Sequence, residues 1–117
     1  MKKAKKEFGK HYLVEFIGCA PEKIKYVRDV KKVFLHAAAA SGAKAIDSIF
    51  HQFKPCGVTG VILIEWSHFF LHTWPEDGYV AFDVFTCGRM DAGIAVRELK
   101  KSFCARRTKM RVLSRGF

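Results

Sequence analysis

The sequence predicts an α+β fold, a two-layer α/β sandwich with helices on one face of a mostly antiparallel sheet. Three observations predict it. Apolar and alternating runs are punctuated by glycine and proline, as strands are. Two segments repeat hydrophobic residues every 3.6 positions, as helices do. The elements follow the order strand, helix, several strands, helix, strand, which suits helices layered on an antiparallel sheet. The 117 residues suit one domain spanning 1–117.

The elements read as follows. Residues 11–19 (His11-Tyr12-Leu13-Val14-Glu15-Phe16-Ile17-Gly18-Cys19) form a strand ending at Gly18, and Pro21 opens a turn into a helix. Val27, Val30, Val33, Phe34 and Ala37 set a helical face over residues 27–41, which Ser41-Gly42 ends. From Ala45 to Phe53 a strand places Ile46, Ser48, Phe50 and Gln52 on one side and Ala45, Asp47, Ile49, His51 and Phe53 on the other. Pro55-Cys56-Gly57 breaks it. Val58 to Trp66 is a strongly apolar strand, and His68 to Thr73 continues extended. Pro75-Glu76-Asp77-Gly78 is a turn, Tyr79 to Thr86 a strand, Asp91 to Phe103 a helix with Ile94, Val96 and Leu99 inward, and Lys109 to Leu113 a short last strand.

Composition narrows the function classes. No apolar run reaches the roughly 18 residues of a membrane span, and the basic start Met1-Lys2-Lys3-Ala4-Lys5-Lys6 lacks the apolar segment of a signal peptide, so a cytoplasmic protein that meets no membrane is expected. Cys19, Cys56, Cys87 and Cys104 are widely spaced with no C-x-x-C pair, which suits reduced thiols, most of them small core residues. The net charge of +10 crowds the two ends: Lys2, Lys3, Lys5, Lys6 and Lys10 at one, Arg97, Lys100, Lys101, Arg106, Arg107, Lys109, Arg111 and Arg115 at the other. Solvated terminal segments account for this charge. No zinc-finger spacing or RNP-type motif supports a nucleic-acid partner.

Chemistry concentrates in Ser67-His68-Phe69-Phe70-Leu71-His72-Thr73-Trp74-Pro75-Glu76 and Asp83-Val84-Phe85-Thr86-Cys87-Gly88. A Ser-His hydrolase is not supported, because neighbours on a strand face opposite sides and no G-x-S-x-G elbow occurs. Nor is a shared metal: on a strand His68 and His72 sit about 13 Å apart, whereas zinc binds ligands at about 2 Å.

These blocks carry a family resemblance. From about Gly9 to Gly116 the chain resembles the prokaryotic S-adenosylmethionine decarboxylase proenzymes. The resemblance rests on His11–Cys19, on Phe53-Lys54-Pro55-Cys56-Gly57-Val58-Thr59-Gly60-Val61, on Ser67-His68, on His72-Thr73-Trp74-Pro75-Glu76, on Gly78-Tyr79 and on Asp83–Gly88. It implies a lyase of polyamine (spermidine) biosynthesis that cuts itself between Trp66 and Ser67 into a chain of residues 1–66 and a chain of residues 67–117. The cofactor it implies is a pyruvoyl group made from Ser67, with no metal and no PLP. The partners it implies are an amino-acid-type substrate and a second copy, in a homodimer of cleaved protomers with active sites at the interface.

The chemistry explains the residue types. The Ser67 hydroxyl attacks the carbonyl of Trp66, converting amide to ester. Elimination then leaves dehydroalanine, which hydrolyses to pyruvoyl and ammonia. A terminal carbonyl captures a substrate amine as a Schiff base and absorbs the electrons of decarboxylation. By resemblance His72 assists processing, Thr59 stands where the family often carries a processing serine, and Cys87 returns the proton. A thiol of ordinary pKa, about 8.5, is mostly protonated at neutral pH and can donate. Phe53 and Trp74 match aromatic positions that could hold an adenine.

One position departs. The family usually carries glutamate directly before the cleaved serine, and here Trp66 stands there with Glu65 one place earlier. A one-residue step on a strand reverses the face, so Glu65 does not simply substitute. The indole could slow cleavage or fill space that a nucleoside needs. Relatives that decarboxylate L-ornithine or L-arginine need an acidic pocket, which Glu65, Glu76 or Asp83 could supply. A reading of another class is an uncleaved regulatory or binding subunit.

Overall fold

Six strands form one sheet in the computed structural model of the protein, which describes residues 5–117, so Lys2 and Lys3 of the basic start lie outside the described residues. The strands are Glu7–Ile17 (β1), Ala45–Gln52 (β2), Val58–Ile64 (β3), Ser67–Trp74 (β4), Tyr79–Thr86 (β5) and Arg107–Gly116 (β6). Their order is β2-β3-β4-β5-β1-β6, and each neighbouring pair is antiparallel. Helices Val27–Ala40 (α1) and Ala92–Ser102 (α2) pack side by side on one face. This is the α+β two-layer arrangement that the element order predicts.

Alternation explains which face they cover. Val58, Ile62 and Ile64 of β3, Phe69 and Leu71 of β4, Val80, Phe82 and Val84 of β5, and Val14 and Phe16 of β1 are buried beneath the helices. Val30, Phe34 and Ala37 of α1 and Ala95 and Leu99 of α2 meet them. Phe34 stands edge-on to Phe69, ring centroids 5.9 Å apart, directly under β4. Burial of each such side chain contributes about 1.5–3 kcal/mol. Gly60 has to be glycine, because a Cβ there would lie 2.3 Å from the Phe50 ring.

The opposite face carries no helix. Ile49, Leu63, Phe70, Trp74, Leu13 and Leu113 all stand exposed there, Leu63 at 50%.

Four features differ from the sequence expectation. First, β3 stops at Ile64 rather than running to Trp66. Glu65 and Trp66 form a two-residue turn, and Ile64 pairs with Ser67. The turn is hard to see in sequence because it lacks the Asn-Gly or Asp-Gly of primed hairpins, and neither residue has positive φ. Second, β1 begins at Glu7 and β6 extends from Arg107 to Gly116, pairing along their length despite their charge. Third, a bulge between Ala45 and Asp47 leaves Ile46 60% exposed, apart from Ser48, Phe50 and Gln52. Fourth, of the cysteines only Cys19 is buried; Cys56 is half-buried, and Cys87 and Cys104 are exposed.

Candidate active site

Three connections converge at one end of the sheet: the α1–β2 loop, the Glu65–Trp66 turn and the segment after β5. The Glu65 amide donates to the Lys44 carbonyl at 3.1 Å, and the Asp91 amide donates to the Ser41 carbonyl at 2.9 Å. Asp91 also caps α2, its carboxylate accepting from the Gly93 amide at 2.9 Å, which fixes where the 87–91 segment returns to the fold. Between them lies a cavity of about 230 Å³ lined by Lys44, Glu65, Trp66, Ser67, Thr86, Cys87, Arg89 and Met90 among others.

Ser67 shares the parity of Phe69 and Leu71, so its side chain points to the helix layer, and its Oγ is buried with no hydrogen-bond partner among the described residues. An unpaired buried hydroxyl costs about 1–3 kcal/mol. Beside it the Cys87 thiol donates to the Trp66 carbonyl oxygen at 3.4 Å. The carbonyl preceding Ser67 is therefore contacted by the side chain that the sequence reading takes as the proton donor. Trp66 itself is 61% exposed on the turn.

A second group lies at the far end of the β3–β4 hairpin. Thr59 Oγ1 and His72 Nδ1 are hydrogen-bonded at 3.0 Å, as their cross-strand register directs. With Phe53, Trp74 and Glu76 they line a cavity of about 370 Å³. Gln52 and Thr73 hold this end. Gln52 accepts from the Val27 amide at 2.7 Å and donates to the Lys25 and Gly57 carbonyls, while Thr73 accepts from the Val58 amide and donates to the Ile24 carbonyl.

The structure thus brings Ser67 together with Trp66, Glu65 and Cys87, and brings Thr59 together with His72, Phe53, Trp74 and Glu76. It does not bring the two groups together within one chain. Ser67 and His72 are five residues apart on a continuous strand, about 16 Å, and they face opposite sides of the sheet.

A third cluster was not foreseen as a unit. His68 faces away from Ser67, as strand parity requires, and its Nε2 donates to Asp83 Oδ2 at 3.0 Å. His11 Nε2 donates to the same oxygen at 2.7 Å. Among the described residues these three are the set that could hold a metal, their ligand atoms lying within 4.8 Å of one another. The two N–H donors already satisfy that carboxylate oxygen. The link was hidden in sequence because it depends on register: Phe85 pairs with both His11 and His68, and Asp83 lies two residues along on the same face. Lys44 and Arg89 were also missed. Each sits in an irregular segment whose return to the Ser67 end only the fold reveals.

Two groups titrate away from their ordinary values. Tyr79 donates to Glu15 Oε1 at 2.6 Å, and this hydrogen bond to a carboxylate pushes the phenol up to about 12. Burial, with a smaller contribution from Cys104, pushes the Cys19 thiol up to about 11.

The family model described as S-adenosylmethionine decarboxylase matches residues 10–116. Over 112 residues the chain is 39% identical to the S-adenosylmethionine decarboxylase proenzyme of Pelotomaculum thermopropionicum, covering 95% of this chain and 89% of that one. It is 42% identical over 112 residues to the proenzyme of the same name from Thermotoga petrophila, covering 95% and 86%. The crystal structure of the adenosylmethionine decarboxylase from Aquifex aeolicus superposes with a TM-score of 0.87 at 34% identity, covering 96% of this chain and 93% of that one. No helix among the described residues is long and apolar enough to cross a membrane.

Proposed function

The chain belongs to the S-adenosylmethionine decarboxylase family, and we propose that it is a self-processing, pyruvoyl-dependent decarboxylase of polyamine synthesis acting on S-adenosylmethionine. The observation that carries this is the arrangement at residues 66, 67 and 87. A buried hydroxyl without a partner adjoins a carbonyl whose oxygen accepts from a thiol.

These residues suit a pyruvoyl group. Ser67 supplies its atoms, and the 230 Å³ cavity gives a substrate access to it. When formed, the group supplies an electrophilic carbonyl that withdraws the electrons released by decarboxylation. The rest falls to side chains. In the uncut chain the Cys87 S–H polarises the Trp66 carbonyl toward attack by Ser67 Oγ, a charge-stabilising contact of the oxyanion-hole type. In the mature enzyme the same thiol, at the mouth of the same cavity, is placed to return a proton to the substrate carbon.

His72 and Thr59 enter through a second copy. Within one chain they lie about 16 Å from Ser67, yet the resemblance gives both a part in its processing. We propose a two-fold homodimer that covers the uncapped sheet face. Hairpins running in opposite directions then set the Thr59–His72 end of one protomer against the Ser67–Cys87 end of its partner. The exposed Leu13, Leu63, Phe70 and Leu113 favour this covering. Phe53, Trp74 and Glu76, beside His72, then contribute to the substrate pocket. We place the reaction in the cytoplasm, in keeping with four free cysteines.

L-ornithine and L-arginine are the alternative substrates, and the family and the names of the relatives favour S-adenosylmethionine over them. Two measurements test the proposal. Ser67→Ala leaves one intact 13.3 kDa chain with no activity, and labelled CO2 is released from S-adenosylmethionine rather than from ornithine or arginine. An uncut variant that still turns over refutes the pyruvoyl reading, and faster release from ornithine or arginine refutes the substrate.

A further inference from the structure

We propose that Lys44 and Arg89 form a subsite for the carboxylate that self-cleavage creates at Trp66, and that they speed the step in which that carboxylate departs. The inference rests on the cleavage reading above. It concerns residues to which neither the resemblance nor the processing chemistry gives a part.

Both residues line the cavity that holds the scissile Trp66–Ser67 link. Both are exposed, and neither has a carboxylate partner among the ion pairs of the described residues. They approach from separate segments, which the Ser41–Asp91 and Lys44–Glu65 backbone hydrogen bonds tie together. The third charge in the lining is Glu65, so the uncut cavity carries two cations against one anion.

Cleavage changes that balance. After the acyl shift, Trp66 is esterified to Ser67 Oγ. Transfer of the Ser67 Cα proton to a base, the part in processing that the reading above gives to His72 of a second copy, drives elimination: the Cβ–Oγ bond breaks, and its electron pair leaves on oxygen as the Trp66 carboxylate. The dehydroalanine left on the other chain takes up water and loses ammonia. A C-terminal carboxylate has a pKa of about 3.3–3.7, so the new end is anionic at neutral pH. Two anions then face two cations in the same cavity. The leaving oxygen gains charge in the transition state, and fixed cations nearby lower that barrier. They also hold the new chain end, and the indole attached to it, at the cavity wall.

The test follows the splitting of freshly made chain by mass, with and without hydroxylamine, which traps an ester as the Trp66 hydroxamate. In Lys44→Ala/Arg89→Ala, splitting slows about tenfold and trappable ester accumulates. Raising salt slows the wild type toward the double variant. Lys44→Arg/Arg89→Lys, which keeps both charges, splits at the wild-type rate; slow splitting in that variant assigns the effect to structure and refutes the proposal. The proposal is overturned equally if the double alanine variant splits at the wild-type rate, or if it slows without accumulating ester. A wild-type chain that never splits overturns the cleavage reading itself, an outcome distinct from these.

Discussion

Leu63→Asp should dissociate the proposed homodimer and stop the proposed self-cleavage with it. Leu63 stands on the uncapped face of the central sheet, half its surface exposed, across from His68 on β4. Burying a whole leucine side chain contributes about 1.5–3 kcal/mol, so the exposed half contributes about 0.75–1.5 kcal/mol when a partner covers it. A two-fold interface presents the residue twice, so the loss per dimer is about 1.5–3 kcal/mol, roughly a 10- to 150-fold rise in the dissociation constant. The introduced carboxylate has to be desolvated in any remaining dimer, which makes that range a floor. Sedimentation equilibrium on the wild type and the variant reads the shift directly, and mass analysis of the same samples reads splitting. The protomer should still fold, because the substitution is on the exposed face. A wild-type protein that stays monomeric at tens of micromolar, or a monomeric variant that splits at the normal rate, would refute the reasoning. The second result would mean that His72 of another copy is not needed.

Further consequences are more local. Cys87→Ala removes one weak S–H donor from the Trp66 carbonyl, so splitting should slow only about 2- to 10-fold, while turnover falls about 10²- to 10⁴-fold for loss of the proton donor. Labelled CO2 release from fully split protein separates the two effects, and unchanged turnover removes Cys87 from the mechanism. The alkaline limb of stability should carry Tyr79. Its raised pKa means that the folded state holds the proton more tightly than the unfolded one, so its contribution is intact below pH 10 and is lost as pH rises from 10 toward about 12. Cys19 adds a similar loss between pH 9 and about 11. Tyr79→Phe should flatten the urea-midpoint profile above pH 10 and leave it unchanged in slope below; an unaltered profile would remove the Tyr79–Glu15 pair from the titration.

What the sequence revealed follows from periodicity. The helical face of Val30, Phe34 and Ala37 and the alternation of Val80, Phe82 and Val84 are local signals, and both elements lie where they predict. Charged strands are different. Local signals mark only Lys109 to Leu113 of the ten residues of Arg107–Gly116; the unmet amides and carbonyls of β1 recruit the rest, through pairing from Ile17–Arg107 to Glu7–Gly116. The site divides the same way. Ser67, His72, Thr59 and Cys87 are visible as residue types in a motif. Their separation into two ends of one hairpin depends on the extended course of β4, and the shared acceptor of His11 and His68 depends on register across three strands.

The turn at Glu65–Trp66 changes the meaning of the departure before the serine. On a continuous strand, tryptophan in place of glutamate would aim an indole into one face and shift the scissile carbonyl with it. On a two-residue hairpin the carbonyl is held from both sides instead, by the Ile64–Ser67 pairing and by the Cys87 thiol, while the indole lies 61% exposed. Attack by Ser67 depends on the carbonyl rather than on the side chain, so the proposed cleavage is expected to tolerate the exchange. What the exchange removes is a carboxylate from the cavity. With glutamate at 66 the lining would carry two anions against Lys44 and Arg89 before cleavage and three after it. With tryptophan the charges balance only once the chain has been cut. The substitution that would look most damaging on a strand is therefore, on this turn, one that lets electrostatics favour the cleaved state.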